Sequence, residues 1–241
     1  MNALEVQGIV KAYGGLLAVR DMHFDLAEGE VLGLLGPNGS GKTTMINLIS
    51  GSQRATSGAI RLFGEDITRR PANRISKLGV ARTFQLVRML ESMSVIENVE
   101  AGGVFGHARR WGRDLREYAL AMLDKVGLAG KEALPVGALT YIDQKRVELA
   151  RVLVGDPKVL LLDEWLAGLN PTELLTGIAL IDTLRAEGRT ILIVEHVMDA
   201  IRSLCDRCVV MNSGIRIAEG RPEAVLAEPE VIEAYLGSEH A

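Results

Sequence analysis

The sequence predicts an α/β fold in which a mostly parallel sheet is covered by helices, with an antiparallel β section at its N-terminus and an inserted helical lobe. Continuous apolar stretches are typical of strands buried on both faces of a parallel sheet. Three such stretches occur, at residues 31–35, 159–162 and 191–194. Met22, Phe24 and Leu26 alternate with polar residues, which indicates a half-buried strand of the antiparallel section. Between residues 85 and 157 the apolar spacing becomes helical.

The remaining elements follow in chain order. Residues 43–50 form a helix that Gly51 ends, and a further helix begins at Pro171. In the lobe, one helix is indicated by an apolar face of Leu115, Ala119, Met122 and Val126, and a second runs to Val154. Residues 102–112 show no clear period and are predicted to be a loop. The predicted organisation is a core in two parts, residues 1–85 and 157–241, with the lobe at 86–156.

Composition limits the classes of function. The chain has 241 residues, 48% of them apolar, which is enough for one globular unit with a sizeable core. The net charge is only -4 and basic residues do not cluster, so neither nucleic acid nor an anionic membrane surface is an expected partner. No apolar stretch approaches the roughly 18 residues of a membrane span, and the start does not resemble a signal peptide. We expect a soluble chain that is not exported.

Cys205 and Cys208 form a lone CxxC, which is compatible with a redox pair or half of a metal site. Cys205 follows an apolar helical stretch, and Cys208 opens a run that is typical of a buried strand. A free cysteine in such a place behaves as a small hydrophobic residue. We therefore expect two reduced thiols in the core of a cytosolic protein.

The segment GPNGSGKT at residues 36–43 matches the phosphate-binding loop GxxxxGK[ST] at every fixed position, between an apolar strand and a helix. Its glycines let backbone N–H groups turn inward, and the helix directs its positive end to the same place. Lys42 is expected to reach the outer phosphates, and the Thr43 hydroxyl to bind Mg²⁺. The nucleotide-binding residues predicted here are Gly36, Pro37, Asn38, Gly39, Ser40, Gly41, Lys42, Thr43 and Thr44. The alternative is a solvated Gly-rich turn.

Two carboxylates, Asp163 and Glu164, end the strand at residues 159–162, and ligands bind at the ends of parallel strands. Asp163 is expected to support Mg²⁺, and Glu164 to polarise the water that attacks the nucleotide. The alternative is that either acid caps the next segment. His196 follows the strand at 190–195 and should emerge at the same edge, although position alone favours a solvent-facing histidine at a helix start.

Taken together, these residues resemble the ATP-binding cassette family, the ATPase subunits of ABC transporters. The resemblance spans nearly the whole chain. In chain order it is carried by the loop at 36–43, Gln85 in ARTFQ at 81–85, a signature-like stretch at 139–144, Asp163 with Glu164, AGLN at 167–170, and His196. It implies a RecA-like P-loop NTPase core that binds ATP and Mg²⁺.

The resemblance also assigns roles that spacing alone does not. An aromatic residue ahead of the loop stacks on adenine in such proteins, and here that role falls to Tyr13, with a packed strand tyrosine as the alternative. Gln85 is implied to sense Mg²⁺ and the attacking water, and His196 to contact the γ-phosphate. Family members work as pairs, in which each ATP lies between the loop of one subunit and the signature of the other. A second ATPase subunit is therefore an expected partner.

The signature-like stretch departs from the family pattern. Where relatives read LSGGQ or LSYGQ, this chain has LTYID at residues 139–143. Ile142 replaces a glycine that lets backbone approach phosphate. Asp143 suits the first turn of its own helix, but at ~6 Å and an effective dielectric of ~20 it would repel each phosphate charge by roughly 3 kcal/mol. We expect an asymmetric heterodimer whose second ATP site is impaired, unless both changes are tolerated locally. Trp165, where relatives usually carry proline, has no role that the sequence assigns.

Within the importers, the ARTFQ segment, AGLNP at 167–171 and VIEAYLG at 231–237 are similar to the branched-chain amino-acid uptake ATPases. This similarity implies separate transmembrane permeases, an extracytoplasmic solute-binding protein that acts indirectly, and a peripheral location on the cytoplasmic face of the inner membrane. Permease contacts are expected at 86–93, with Val87, Met89 and Leu90 as candidates and lobe core as the alternative. Two rival hypotheses are a small-molecule kinase and a non-hydrolytic nucleotide-binding regulator.

Overall fold

The computed structural model describes residues 1–238, with side chains as far as Leu236. This part of the chain contains ten strands in two sheets. The strands are β1 (Asn2–Tyr13), β2 (Leu16–Ala27), β3 (Val31–Leu35), β4 (Ser57–Leu62), β5 (Glu65–Asp66), β6 (Val80–Arg82), β7 (Val159–Asp163), β8 (Thr190–Val194), β9 (Arg207–Asn212) and β10 (Ile215–Gly220). The smaller sheet, in the order β2-β1-β4-β5, is antiparallel throughout. This confirms the predicted N-terminal antiparallel section.

The larger sheet has the order β10-β9-β3-β8-β7-β6. Strands β6, β7, β8, β3 and β9 run parallel to one another, and β10 pairs antiparallel with β9 at the edge. The three apolar strands β3, β7 and β8 are completely buried, as continuous apolar stretches require. The predicted α/β class with a mostly parallel sheet is confirmed.

Nine helices are described. They are α1 (Lys42–Ile49), α2 (Ala72–Leu78), α3 (Val95–Phe105), α4 (Gly112–Lys125), α5 (Tyr141–Leu153), α6 (Pro171–Ala186), α7 (Met198–Leu204), α8 (Pro222–Val225) and α9 (Pro229–Ser238). Helix α1 follows the phosphate loop, and α6 begins at the predicted proline. The predicted apolar face on α4 is buried and packs with α3 and α5 in the same core cluster as the inner face of the parallel sheet. A second cluster fills the space between the two sheets and α1.

The prediction that residues 102–112 form a loop is wrong for its first part, because Gly102 and Gly103 lie inside α3. A Cβ on Gly102 would lie 1.8 Å from the carbonyl oxygen of Arg151 in α5, so the glycine lets the two helices touch backbone to backbone. A Cβ on Gly103 would lie 2.3 Å from Leu115 of α4. The glycines here serve close packing, which a rule that treats glycine as a turn signal does not anticipate.

The two thiols are buried and free, as expected for core cysteines. Both sulfur atoms pack on Gly33 of β3, whose added Cβ would lie 3.0 Å from Cys208 and 3.1 Å from Cys205. The hydrogen bond with Cys208 and burial raise the pKa of the Cys205 thiol far above its usual range. The Cys205 thiol is therefore not activated for redox or metal chemistry.

Among residues 1–238, none of the helices combines the length and apolar character that crossing a bilayer requires.

Candidate functional site

The phosphate loop connects β3 to α1 and depends on three glycines with positive φ, which are Gly36 at 141°, Gly39 at 78° and Gly41 at 109°. The loop passes so close to β9 that a Cβ on Gly36 would lie 2.1 Å from the carbonyl oxygen of Met211. Pro37 is buried, whereas Asn38, Gly39 and Thr43 are exposed at the mouth of the loop and Thr44 is half-buried. The loop thus has the left-handed backbone that a phosphate cradle requires.

Lys42 lies over this loop and donates hydrogen bonds from Nζ to the carbonyl oxygens of Gly36, at 2.7 Å, and Pro37, at 2.9 Å. Burial lowers the pKa of its ammonium group, against the opposing effect of Glu164 and Asp163. The Ser40 hydroxyl is also buried and has no hydrogen-bond partner among the described residues. A cation and a spare hydroxyl inside the loop match an anionic ligand such as a polyphosphate.

Asp163 ends β7 next to the loop and is held by a cation that the sequence did not predict. Its Oδ2 accepts a hydrogen bond of 2.7 Å from Arg82 Nη2, and both side chains are over 90% buried. Arg82 also donates to Asn47 Oδ1 at 2.6 Å, which fixes the guanidinium against α1. Arg82 ends β6, the parallel neighbour of β7, and this shared edge is the signal that would have identified it.

Glu164 follows directly, with a left-handed φ of 49°. Its carboxylate oxygens are held separately, because Gln85 Nε2 donates to Oε2 at 2.6 Å and His196 Nε2 lies 3.0 Å from Oε1. The structure therefore brings together the three residues that were predicted to be catalytic. The Glu164 side chain is 16% exposed and that of His196 is 37% exposed, so both face the solvent side of the sheet edge.

A cavity of about 350 Å³ joins the loop to this edge, and its walls include Thr43, Asn47, Arg82, Gln85 and Asp163. Hydroxyl, amide and carboxylate oxygens are the ligands that Mg²⁺ prefers. None of the described residues forms a cluster of three or more acidic, His or Cys side chains suited to a metal alone. One or two protein oxygens suffice when phosphates and water supply the remaining ligands, so the residues present fit a nucleotide-bound Mg²⁺.

Buried charges hold the backbone of the turn that carries Glu164. Lys145 of α5 is fully buried and donates from Nζ to the carbonyl oxygen of Trp165 at 2.8 Å. Glu195 Oε1 accepts a hydrogen bond of 2.6 Å from the Leu166 N–H. Burial raises the pKa of Glu195 to about 7. Single polar residues inside helical or strand patterns carry no sequence signal of this role, and the sequence reasoning missed both.

The signature-like segment forms the start of α5, where the Asp143 N–H donates to Thr140 Oγ1 at 3.4 Å. The expected repulsion by Asp143 stays a prediction, but the structure shows that its carboxylate is paired within the chain. The side chain is 8% exposed and forms ion pairs with Lys131 at 2.5 Å and Arg146 at 3.2 Å. Two neighbouring cations therefore compensate its charge within the chain. Ile142 is also buried, at 7% exposure.

Tyr13 lies at the end of β1 and is 42% exposed, with its ring beneath Lys11 and its hydroxyl bonded to Gln53.

Following Gln85, the segment at residues 86–93 is held by Asn98 of α3, which exchanges hydrogen bonds of 2.9 and 3.1 Å with the Leu90 backbone. The Leu90 side chain is 42% exposed, whereas Met89 packs on the main core. Val87 is half-buried, so Leu90 is the most accessible of the three permease-contact candidates.

Comparison with known proteins identifies the family to which this chain belongs. The ABC transporter family model matches residues 19–167, which include the phosphate loop, Gln85 and the Asp163–Glu164 pair. This chain belongs to the ABC transporter ATP-binding family. Members of this family hydrolyse ATP to power transport, and the chain is accordingly an ATPase. A second model, for branched-chain amino acid ATP-binding cassette transporters, matches residues 216–241.

Individual relatives cover nearly the whole cassette. The chain is 41% identical to the high-affinity branched-chain amino acid transport ATP-binding protein BraF of Pseudomonas aeruginosa, over 97% of each chain. It is 38% identical to LivG of Escherichia coli, which bears the same description, again over 97% of each. Among solved structures, the ADP conformation of the ATP-binding cassette MJ1267 superposes with a TM-score of 0.91 at 32% identity, covering 98% of this chain and 99% of that one. The resemblance to the branched-chain uptake group and the expected fold are confirmed.

Proposed function

We propose that this ATPase is the energy-supplying subunit of an importer for branched-chain amino acids, which acts at the cytoplasmic face of the membrane through separate permeases. One observation carries the chemical part of the proposal, namely the Glu164 carboxylate held between Gln85 and His196 at the edge that also presents Asp163 and the phosphate loop. The solute class is supported by the names of relatives about 40% identical over 97% of their length, BraF among them. A solute-binding protein would deliver the solute to the permeases.

In this proposal the phosphate loop binds the β- and γ-phosphates through its inward N–H groups, and Tyr13 stacks on the adenine. Lys42 leaves the carbonyl oxygens of Gly36 and Pro37 to reach the outer phosphates. Mg²⁺, held by Thr43 and Asp163 and sensed by Gln85, would neutralise phosphate charge. Thr43, Gln85 and Asp163 line one cavity at the edge of the parallel sheet, whereas Tyr13 comes from β1 of the antiparallel sheet.

Hydrolysis then requires a water in line with the γ-phosphorus. Glu164 accepts its proton as the water oxygen bonds to phosphorus and the bond to the β–γ bridging oxygen breaks, which gives ADP and phosphate. Gln85 and His196 hold the carboxylate in place through its two oxygens. His196 is proposed to contact the γ-phosphate as well, since its side chain is partly exposed at the edge.

Glu164→Gln tests this assignment. The variant keeps the shape and loses the base, so turnover should fall about 10²- to 10⁴-fold while ATP binding survives. Glu117→Gln, at an exposed lobe position, is the matched control and should hydrolyse at the wild-type rate. If Glu164→Gln also hydrolyses at that rate, the proposal fails in favour of a non-hydrolytic regulator.

Coupling to a permease is proposed to involve the exposed Leu90. Leu90→Asp should abolish leucine uptake by the assembled transporter and leave ATP binding unchanged. Leu120→Asp is a suitable control, because Leu120 is exposed to a similar extent, 38% against 42%, on α4 of the same lobe. Normal uptake by the Leu90 variant would contradict this contact.

We further propose that the chain pairs asymmetrically with a second cassette whose signature is intact. The support is Ile142 in place of the family glycine, since the charge of Asp143 is compensated within the chain. The purified chain alone should then show weak ATPase activity that rises when a partner cassette is added. Rapid Mg²⁺-dependent hydrolysis by the chain alone would contradict asymmetry.

A further inference from the structure

The C-terminal helix α9 contacts the phosphate loop directly. The Gly36 N–H donates a hydrogen bond of 2.8 Å to the hydroxyl oxygen of Tyr235, a residue 199 positions later in the chain. Tyr235 lies in the segment at 216–241 that matches the branched-chain cassette model. This segment therefore reaches the nucleotide site, although it lies outside the match to the general ABC transporter model at 19–167.

The contact lies at the point where the pairing of the parallel strands ends. Pairing between β3 and β9 ends at Leu35, opposite Val210, so Gly36 is the first residue beyond the sheet. It is buried, and the 2.1 Å approach of its added Cβ to the Met211 carbonyl oxygen shows that backbone encloses it. A buried N–H without an acceptor is costly, and Tyr235 supplies one.

Tyr235 is itself well supported. Its ring packs against the main hydrophobic cluster, and Val231, one turn earlier in α9, is 1% exposed within the same cluster. Burial raises the pKa of the Tyr235 hydroxyl, so the group stays neutral and offers oxygen lone pairs at physiological pH. The hydroxyl is thus held in place by packing of the helix that bears it.

The carbonyl group of Gly36 is hydrogen-bonded to Lys42, the residue that would move toward the phosphates. The Gly36 carbonyl oxygen accepts a hydrogen bond of 2.7 Å from Lys42 Nζ, the amine proposed to bind the outer phosphates. When Lys42 turns toward phosphate, it gives up this bond. The contact with Tyr235 then remains to fix the first residue of the loop.

We propose that Tyr235 is a positioning residue for nucleotide binding, which fixes the phosphate loop at Gly36 while Lys42 exchanges the loop carbonyls for phosphate. The inference rests on ATP binding at this loop. Without the hydroxyl, the free loop relaxes to hydrate the Gly36 amide, and nucleotide binding has to reverse that change. The effect is therefore expected in affinity, with Gln85, Glu164 and His196, which follow β6, β7 and β8, unaffected.

Tyr235→Phe is the decisive variant, because it keeps the ring and removes the acceptor. We expect the Kd for ATP and the KM to rise about tenfold while kcat stays within about twofold of wild type. Exchange of the Gly36 amide hydrogen, followed by NMR in the nucleotide-free protein, should become faster. Tyr118→Phe is the matched control, since that tyrosine is also half-buried on the main cluster but lies in the lobe under Arg110.

Three outcomes would overturn the inference. A Tyr235→Phe protein that is less heat-stable but binds ATP as wild type does would show a merely structural role. Equal losses of affinity in the Tyr118 control would show a non-specific effect. In wild-type protein, rapid exchange of the Gly36 amide would show that the hydrogen bond is absent in solution, whether or not the variant folds. Failure of wild-type protein to bind ATP would instead contradict the proposed function itself.

Discussion

Lys145 and Trp165 each bind the backbone of the other. The Lys145 ammonium donates to the Trp165 carbonyl oxygen at 2.8 Å, and the Trp165 indole N–H donates to the Lys145 carbonyl oxygen at 3.2 Å. Both side chains are fully buried. Because Lys145 lies in α5 and Trp165 directly follows Glu164, this reciprocal pair connects α5 to the turn that carries Glu164. It gives Trp165, which the sequence left unexplained, a structural role.

Trp165→Phe should destabilise the protein by about 1–3 kcal/mol, because it removes the indole donor and leaves the buried Lys145 carbonyl unsatisfied while most of the aromatic volume remains. Trp165→Ala should cost about 3–5 kcal/mol through the cavity that it creates. Urea denaturation measures both. The control is Trp111→Phe, since Trp111 is 63% exposed and its loss should change the free energy of unfolding by about 0.5 kcal/mol at most. Equal effects at the two tryptophans would contradict the role of the pair.

Arg82→Met should destabilise the nucleotide-free protein by about 3–5 kcal/mol, because it leaves the buried Asp163 carboxylate without its cation. Mg²⁺ with ATP should restore more stability to the variant than to wild type, since the freed carboxylate gains a new cation. Melting temperatures with EDTA and with Mg-ATP provide the measurement. Arg113→Met removes an arginine that is 91% exposed and should have little effect in either buffer. If Mg-ATP raises the melting temperature of the variant no more than that of wild type, the Asp163 carboxylate does not bind Mg²⁺ and this prediction is wrong.

Glu195 should make the folded state less stable as the pH rises. Burial raises its folded pKa from 4.5 to about 7, so the folded protein binds more protons than the unfolded chain between these values. The free energy of unfolding should thus decrease from pH 5 to pH 8, by about 3 kcal/mol from this residue at 1.4 kcal/mol per pKa unit. Glu195→Gln should flatten the profile, because the amide does not titrate in this range. Its oxygen still accepts from the Leu166 N–H, so the turn keeps this hydrogen bond.

Denaturation at four pH values measures this slope. Glu148, whose pKa burial also raises to about 7, should contribute a similar decrease that persists in the Glu195→Gln variant. Glu91→Gln, at an exposed loop position, is the control and should keep the wild-type profile. An unchanged profile in Glu195→Gln would show that the carboxyl is ionised in the folded protein at pH 5.

The sequence was informative where backbone geometry or periodicity determines structure. The apolar runs predicted β3, β7 and β8, and the placement of polar residues at strand ends predicted that Glu164 and His196 would meet. It could not show which partners a charged side chain contacts. The sequence indicated Asp143 as a negative charge close to phosphate, but it did not show that Lys131 and Arg146 pair with this carboxylate.

The other gaps involve contacts between distant segments. Arg82 with Asp163, Lys145 with Trp165, and Tyr235 with Gly36 each join residues 20 or more positions apart, which no local pattern encodes. The glycines of α3 are a further case, because the sequence of α3 alone does not show that other helices pack closely against them. Local rules then assign them to a loop.

Gly102→Ala tests that last point. Its Cβ would lie 1.8 Å from the Arg151 carbonyl oxygen, so α3 and α5 must separate, at a cost of at least about 1–3 kcal/mol despite the better helix propensity of alanine. Gly137→Ala is the matched control, since a Cβ there meets nothing within 4 Å and its backbone is not left-handed. Thermal unfolding should show a clear loss for the first variant and almost none for the second. If Gly102→Ala is as stable as Gly137→Ala, α3 and α5 do not make this close backbone contact at Gly102.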